Sequence, residues 1–168
     1  MGGSRIAKDA PRLAAFGTLD ELGAHLGRAA ADLPPVRADL AELLLRLQHE
    51  LYIAQAELAT PSAGEPPRHQ IADRHVAGLE QEIDRLMATF DPVSSFVLAR
   101  GGPAAAELHI ARTVARRAER EIWTLHRLEP VGAALLRWIN RMSDLLFAMA
   151  LSLNRSTDFR ETRPDYTI

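Results

Sequence analysis

The chain alternates between long segments with an apolar residue every third or fourth position and short stretches rich in proline, glycine and small polar residues. In the first segment Leu13, Phe16, Leu19, Leu22 and Leu26 recur at helical spacing, with Pro11 at a first helical position, and the pattern runs to about Ala31. Pro34 and Pro35 stop it. Leu40, Leu43, Leu44, Leu47, Leu51, Ala54 and Leu58 make the stripe of a second helix, from about Val36 to Leu58. A third spans about Ile71 to Phe90, with Val76, Leu79, Ile83 and Leu86 inward. A fourth starts near Pro103 and runs to about Leu128, and a fifth covers about Ala133 to Leu153. Between them lie a loop from Thr60 to Arg68, an unusually apolar one carrying Phe96, Val97 and Leu98, and a turn punctuated by Pro130 and Gly132.

Five long helices with no strand pattern predict an all-α, up-and-down five-helix bundle, one domain over 1–168. Residues 1–10 read as an N-terminal loop and 154–168 as a polar, flexible tail.

Composition narrows the chemistry. The 168 residues suffice for one core, and 47% apolar with 25% charged residues is an ordinary globular mixture. A formal net charge of −2 argues against a general nucleic-acid binder. Without cysteine there is no disulfide, thiolate metal site or cysteine nucleophile. No apolar run has the length of a membrane span and no signal peptide is visible, so the expectation is a cytoplasmic protein. The six histidines have no metal spacing, Glu-x-x-His is absent, and so are the common phosphate-binding glycine loops; no metal ligand is identified.

The fourth helix carries the most distinctive run, Arg112-Thr-Val-Ala-Arg116-Arg117-Ala-Glu119-Arg120. On a helical wheel Leu108, Ala111, Ala115, Ala118, Ile122 and Leu125 form the buried face. Arg112, Arg116, Glu119 and Arg120 border it, while Arg117 and Glu121 point further round. Spacing alone fits a solvated face with Glu119 paired to Arg116. The second reading, which spacing favours less, is an anion site, since the planar guanidinium suits phosphate. Asn140 and Asp144, four apart on the fifth helix, suit a ligand contact or a helix–helix hydrogen bond. Asp20 lies among apolar neighbours, either as an exposed acid or as one awaiting an arginine.

Several blocks together resemble the PduO-type cobalamin adenosyltransferases: Gly2-Gly-Ser-Arg-Ile-Ala-Lys8-Asp, Phe16-Gly-Thr-Leu-Asp20-Glu-Leu22, Leu47-Gln-His-Glu-Leu51, Glu57-Leu-Ala-Thr-Pro61, Ser95-Phe96-Val-Leu98, the arginine run, and Asn140-Arg-Met-Ser-Asp-Leu-Leu-Phe147. The resemblance covers about residues 2–150. It implies a homotrimer with sites between subunits. It also implies transfer of the 5′-deoxyadenosyl group from ATP, with Mg²⁺, to the cobalt of cob(I)alamin, releasing triphosphate. By position, Lys8, Arg116, Arg117, Glu119, Arg120 and Asn140 would contact ATP. Asp20 and Arg112 would form a salt bridge across the subunit interface beside the corrinoid. Phe96 would close the lower face of the corrin ring, and with Asp20 and Arg112 it completes the expected catalytic and corrinoid-binding set.

The family also implies dealings with a flavoprotein reductase and an adenosylcobalamin-dependent enzyme. Its Thr-Gly-Asp-x-Gly-Thr phosphate segment is not in this chain, and the expectation is that such a segment precedes Met1. Leu98-Ala-Arg-Gly-Gly-Pro103 differs from the family's usual Leu-Pro-Gly-Gly, which predicts a shifted Phe96 loop. The alternative is a non-catalytic bundle that binds a corrinoid or nucleotide.

Overall fold

The computed structural model describes residues 6–60, 67–90, 95–157 and 159–167. Among them are five α-helices and no strand: α1 (Pro11–Ala31), α2 (Ala38–Ala59), α3 (Asp73–Met87), α4 (Pro103–His126) and α5 (Ala133–Ser156), with a single 3-10 turn at Pro35–Arg37 before α2. The opening Gly2-Gly-Ser-Arg block and most of the loop after Thr60 lie outside the described residues.

Local chemistry sets the helix ends. Pro11 and Pro103 occupy first helical positions, where a missing N–H costs nothing. α3 starts at Asp73, two residues later than its apolar spacing predicts. Ile71 is held outside the helix by donating its N–H to Glu57 Oε2 at 2.8 Å. The Ala72 N–H then donates to His75 Nδ1 at 2.9 Å, capping the first turn. α3 ends at Met87, before the expected Phe90, where the Thr89 hydroxyl donates to Leu86 O at 2.6 Å. α5 runs three residues past its expected end at Leu153. The hydroxyls of Ser156 and Thr157 donate to Leu153 O at 2.8 and 3.1 Å, which satisfies the last carbonyls.

The helices pack in the order α2, α1, α4, α5, α3, with α4 between α1 and α5. That central position follows from its small residues. Ala104, Ala105, Ala111, Ala115 and Ala118 are all buried and let two neighbours approach closely, while Leu108, Ile122 and Leu125 fill the spaces between. Leu19, Leu22 and Leu26 of α1 meet this face fully buried; Leu13, expected inward, is on the outer side. Trp138 of α5 is fully buried, and its Nε1–H donates to Glu50 Oε2 of α2 at 2.7 Å, which joins the outer helix to the far side of the bundle. Arg12 ties three segments at one end: it bonds Leu58 O and Thr60 O and pairs with Glu129 at 2.5 Å.

Candidate active site

Along α4 and α5, beside the packed face, opens a cleft of about 860 Å³. α4 contributes Arg112 and Arg116, and α5 contributes Ser143, Asp144 and Phe147. The loop before α4 supplies Ser95, Phe96 and Val97, and the last segment supplies Arg163, Pro164 and Tyr166. A space this size admits a drug-sized or larger ligand. Its walls combine an aromatic side with a strongly cationic one.

Phe96 is 82% exposed at the mouth. A phenylalanine so open to water is unusual next to a concave site and presents a flat apolar plate to whatever enters. Phe147, half-buried, forms the floor, and the Arg112 guanidinium carbon lies 5.9 Å from its ring centre. Arg112 Nε is buried with no hydrogen-bond partner. Burial first, and the charge of Arg116 second, pull the Arg112 guanidinium below its ordinary range. An arginine in this condition suits an anionic partner, and none meets its Nε among the described residues.

One turn further along α4, Glu119 accepts from Asn140 Nδ2 at 3.0 Å. Glu119 therefore pairs with α5 rather than with Arg116, and Asn140 makes the helix–helix hydrogen bond that spacing allowed. The exposed Arg120 donates to Arg116 O at 3.1 Å. The guanidinium of Arg116 is exposed beside the cleft. A row of cations thus leads from the aromatic floor outward along α4.

Of the residues singled out in the sequence, Phe96, Arg112, Arg116 and Asp144 meet in this one cleft. Glu119, Arg120 and Asn140 border it on the same helices. Arg117, further round the helix, forms an ion pair with Glu21 of α1. Lys8 is exposed in the turn before α1, and Asp20 is exposed on α1; neither lines the cleft within one chain. Between Phe96 and α4 the chain is anchored at two points. Leu98 N donates to Thr162 O at 2.8 Å, and Asn154 Nδ2 donates to Arg100 O at 3.0 Å.

Phe147, Arg163, Pro164 and Tyr166 escaped the sequence reading as site residues. Phe147 was within reach, since it follows Asn140 by seven and Asp144 by three on one helix face. Nothing local marks the tail, which joins the site only by folding back onto residues 95–98.

A helical bundle with an aromatic, arginine-rimmed cleft defines a binder of a large apolar ligand beside an anion. Comparison with known proteins supplies the family. The model of the cobalamin adenosyltransferase family matches residues 1–153, and the chain belongs to that family. The corrinoid adenosyltransferase of Bacillus subtilis (strain 168) is 38% identical over 154 residues, covering 90% of this chain and 79% of that protein. The corrinoid adenosyltransferase PduO of Salmonella typhimurium (strain LT2) is 43% identical over 152 residues, 88% of this chain, but the chain spans only 44% of its length. Among solved structures, a variant PduO-type ATP:corrinoid adenosyltransferase from Lactobacillus reuteri complexed with cobalamin and ATP matches with TM-score 0.89 at 32% identity, covering 95% of this chain and 88% of that one. A second variant of that enzyme, complexed with ATP, matches with TM-score 0.91 at 31% identity.

Proposed function

We propose that this chain transfers the 5′-deoxyadenosyl group of ATP to the cobalt of cob(I)alamin. The observation that carries the reading is the shared cleft, where the exposed Phe96 and the floor of Phe147 stand beside Arg112 and Arg116. In the reaction the cobalt electron pair forms a bond to ribose C5′. The C5′–O bond breaks, and triphosphate departs with its electrons. Cob(I)alamin is itself a strong nucleophile, so no general base is required of the protein. The side chains are left with three tasks: excluding water, aligning the two substrates, and stabilising the leaving anion.

In this reading Phe96 covers the lower face of the corrin ring and excludes an axial ligand, while Phe147 supports the ring. Arg116 and Arg120 face the triphosphate, with Lys8, Arg117, Glu119 and Asn140 as the further ATP contacts that the family resemblance implies. The bond between Asn140 and Glu119 supports a fixed polar edge for the nucleotide. The ion pair of Arg117 with Glu21 supports an indirect role for Arg117, holding α1 against α4.

Arg112 pairs with Asp20 of the partner subunit in a homotrimer. The buried, partnerless Nε of the one and the exposed carboxylate of the other support that pairing. Among the described residues no group of three or more side chains could hold a metal ion. In this reading Mg²⁺ enters with ATP as its counter-ion, and no step is assigned to it. No helix among the described residues is long and apolar enough to cross a membrane. A cytoplasmic setting, with a flavoprotein reductase supplying cob(I)alamin and an adenosylcobalamin-dependent enzyme receiving the product, completes the proposal.

The test is direct. The protein is incubated with ATP, Mg²⁺ and chemically reduced cobalamin, and the cob(I)alamin absorbance is followed. ATP-dependent loss of that absorbance is expected. Binding of both substrates without turnover would replace the proposal with a non-catalytic corrinoid and nucleotide binder.

A further inference from the structure

His109 stands one turn before Arg112 on α4, and the proposed reaction leaves it without a task. Its side chain is 3% exposed, and both ring nitrogens are buried without a hydrogen-bond partner. Buried polar groups rarely go unmet, so an imidazole lacking any partner calls for an explanation. Its ring lies against Phe147, centroids 6.1 Å apart and tilted by 54°. The Arg112 guanidinium carbon is 5.9 Å from the centre of the same ring. Arg112 Nε is also buried and unmet. Two complementary orphans thus flank one aromatic ring, because a neutral imidazole offers one acceptor nitrogen and Nε–H can only donate.

The neutral form is the favoured one. Burial disfavours the charged imidazole, and the positive charge of Arg112 disfavours it further. Several charged groups on the helices flanking α4 are engaged with each other, while Asp20 of α1 is exposed. On α1, Glu21 pairs with Arg117 and His25 Nδ1 meets Glu107 at 2.5 Å. On α5, Asp144 pairs with Arg141 at 2.8 Å. His109, three residues back on the same helix, is therefore an acceptor that Nε–H can reach along one helix face.

We infer that His109 is a positioning residue for Arg112: its acceptor nitrogen takes the Nε–H when a corrinoid fills the cleft, and so fixes the guanidinium over Phe147. This rests on the proposed corrinoid-binding function. The two side chains already pack on one ring. The bond leaves the other guanidinium N–H groups free for a carboxylate. A protonated His109 could not accept, so the device works only above the pH at which the buried ring gains a proton.

Two substitutions separate acceptor from ring. His109→Gln keeps an acceptor and removes the ring; His109→Phe keeps a ring and removes the acceptor. Steady-state kinetics on the full chain should show the phenylalanine variant with a corrinoid KM raised on the order of tenfold to a hundredfold, the scale of a misplaced site group. Its KM for ATP should be unchanged. The glutamine variant should stay close to wild type, and its corrinoid KM should lack the rise that the wild-type protein shows as pH is lowered. The reverse order, or three equal corrinoid KM values, overturns the inference in favour of packing alone. If the phenylalanine variant does not fold, the ¹⁵N shifts of the His109 ring decide. A shift of one nitrogen towards the hydrogen-bonded acceptor range on adding cobalamin supports the inference, and unchanged shifts overturn it. Absence of wild-type turnover would instead count against the proposed reaction, and the ¹⁵N arm would still read this contact.

Discussion

The guanidinium carbon of Arg112 stands 5.9 Å from the centre of the Phe147 ring, with its Nε buried and unpaired. The arrangement places a desolvated cation on an aromatic face at the floor of a cleft, an expensive choice for stability alone. A binding role separates stability from function. Arg112→Ala is expected to leave the thermal midpoint of the isolated chain unchanged or slightly raised, while corrinoid affinity falls by on the order of tenfold or more, the scale of a lost charged contact. Differential scanning fluorimetry and cobalamin titration check both. A fall in both together would make Arg112 a structural residue.

Arg116 and Arg117 are adjacent in sequence but face different ways. Arg116→Ala should lower kcat by on the order of a hundredfold, as when a group that stabilises a developing anion is removed, with the melting midpoint unchanged. Arg117→Ala should move the melting midpoint only slightly, since its pair with Glu21 is largely exposed, and an exposed pair is worth about 0–1 kcal/mol. Its kcat should fall far less than that of Arg116→Ala. Equal losses of rate in the two variants would place Arg117 on the phosphates directly.

Gly101 links the Phe96 loop to α4 with φ at 155°, a conformation that side chains rarely adopt. A Cβ there would meet Asn154 Oδ1 at 2.2 Å and Ala105 Cβ at 2.8 Å. Asn154 cannot retreat easily, because its amide is bonded to Arg100 O and its side chain is buried. Gly101→Ala should destabilise by roughly 1–3 kcal/mol from backbone strain, more if the clash is not relieved. It should also weaken corrinoid binding by displacing Phe96. Urea denaturation and cobalamin titration test the two parts, and a substitution without cost in either would refute the account.

The imidazole of His109 titrates below its ordinary range, through burial first and the charge of Arg112 second. The unfolded chain takes up this proton near the usual value of about 6.5, whereas the folded chain resists it. Stability linked to His109 is therefore complete above that value. It is lost progressively as pH falls towards the depressed folded value. Urea midpoints measured at about pH 8 and about pH 5.5, either side of the free imidazole value, should differ more for wild type than for His109→Gln. Parallel changes in the two proteins would show that other groups dominate the acid limb.

The bundle itself was legible in the apolar spacing, because a helix that must bury one face repeats that need every three or four residues. All six residues read as the buried stripe of α4, from Leu108 to Leu125, are buried, but His109 and Val114, which the wheel left out, are buried among them. The ends at Ala31, Pro103 and Ala133 came out as read, but the start of α3 did not, because it depends on Glu57 and His75 reaching backbone N–H groups, nor did the end of α5, which depends on two hydroxyls. The rim of Arg112 and Arg116 could be read from the wheel, but spacing could not tell a solvated face from a site.

The sequence by itself determined most of the apolar stripe of each helix, how many helices form and, through the ordered blocks from Lys8 to Phe147, the family. Only the tertiary structure decided what those residues face. It turned Arg117 towards Glu21 and gave Glu119 to Asn140. It set Phe147 and His109 beneath Arg112 and brought Arg163 and Tyr166 to the cleft beside Phe96. The physical reason is range. Helix periodicity is a property of neighbours along the chain. The partner of a charge or a ring is fixed by packing between segments far apart in sequence, where desolvation and geometry choose among many possible contacts.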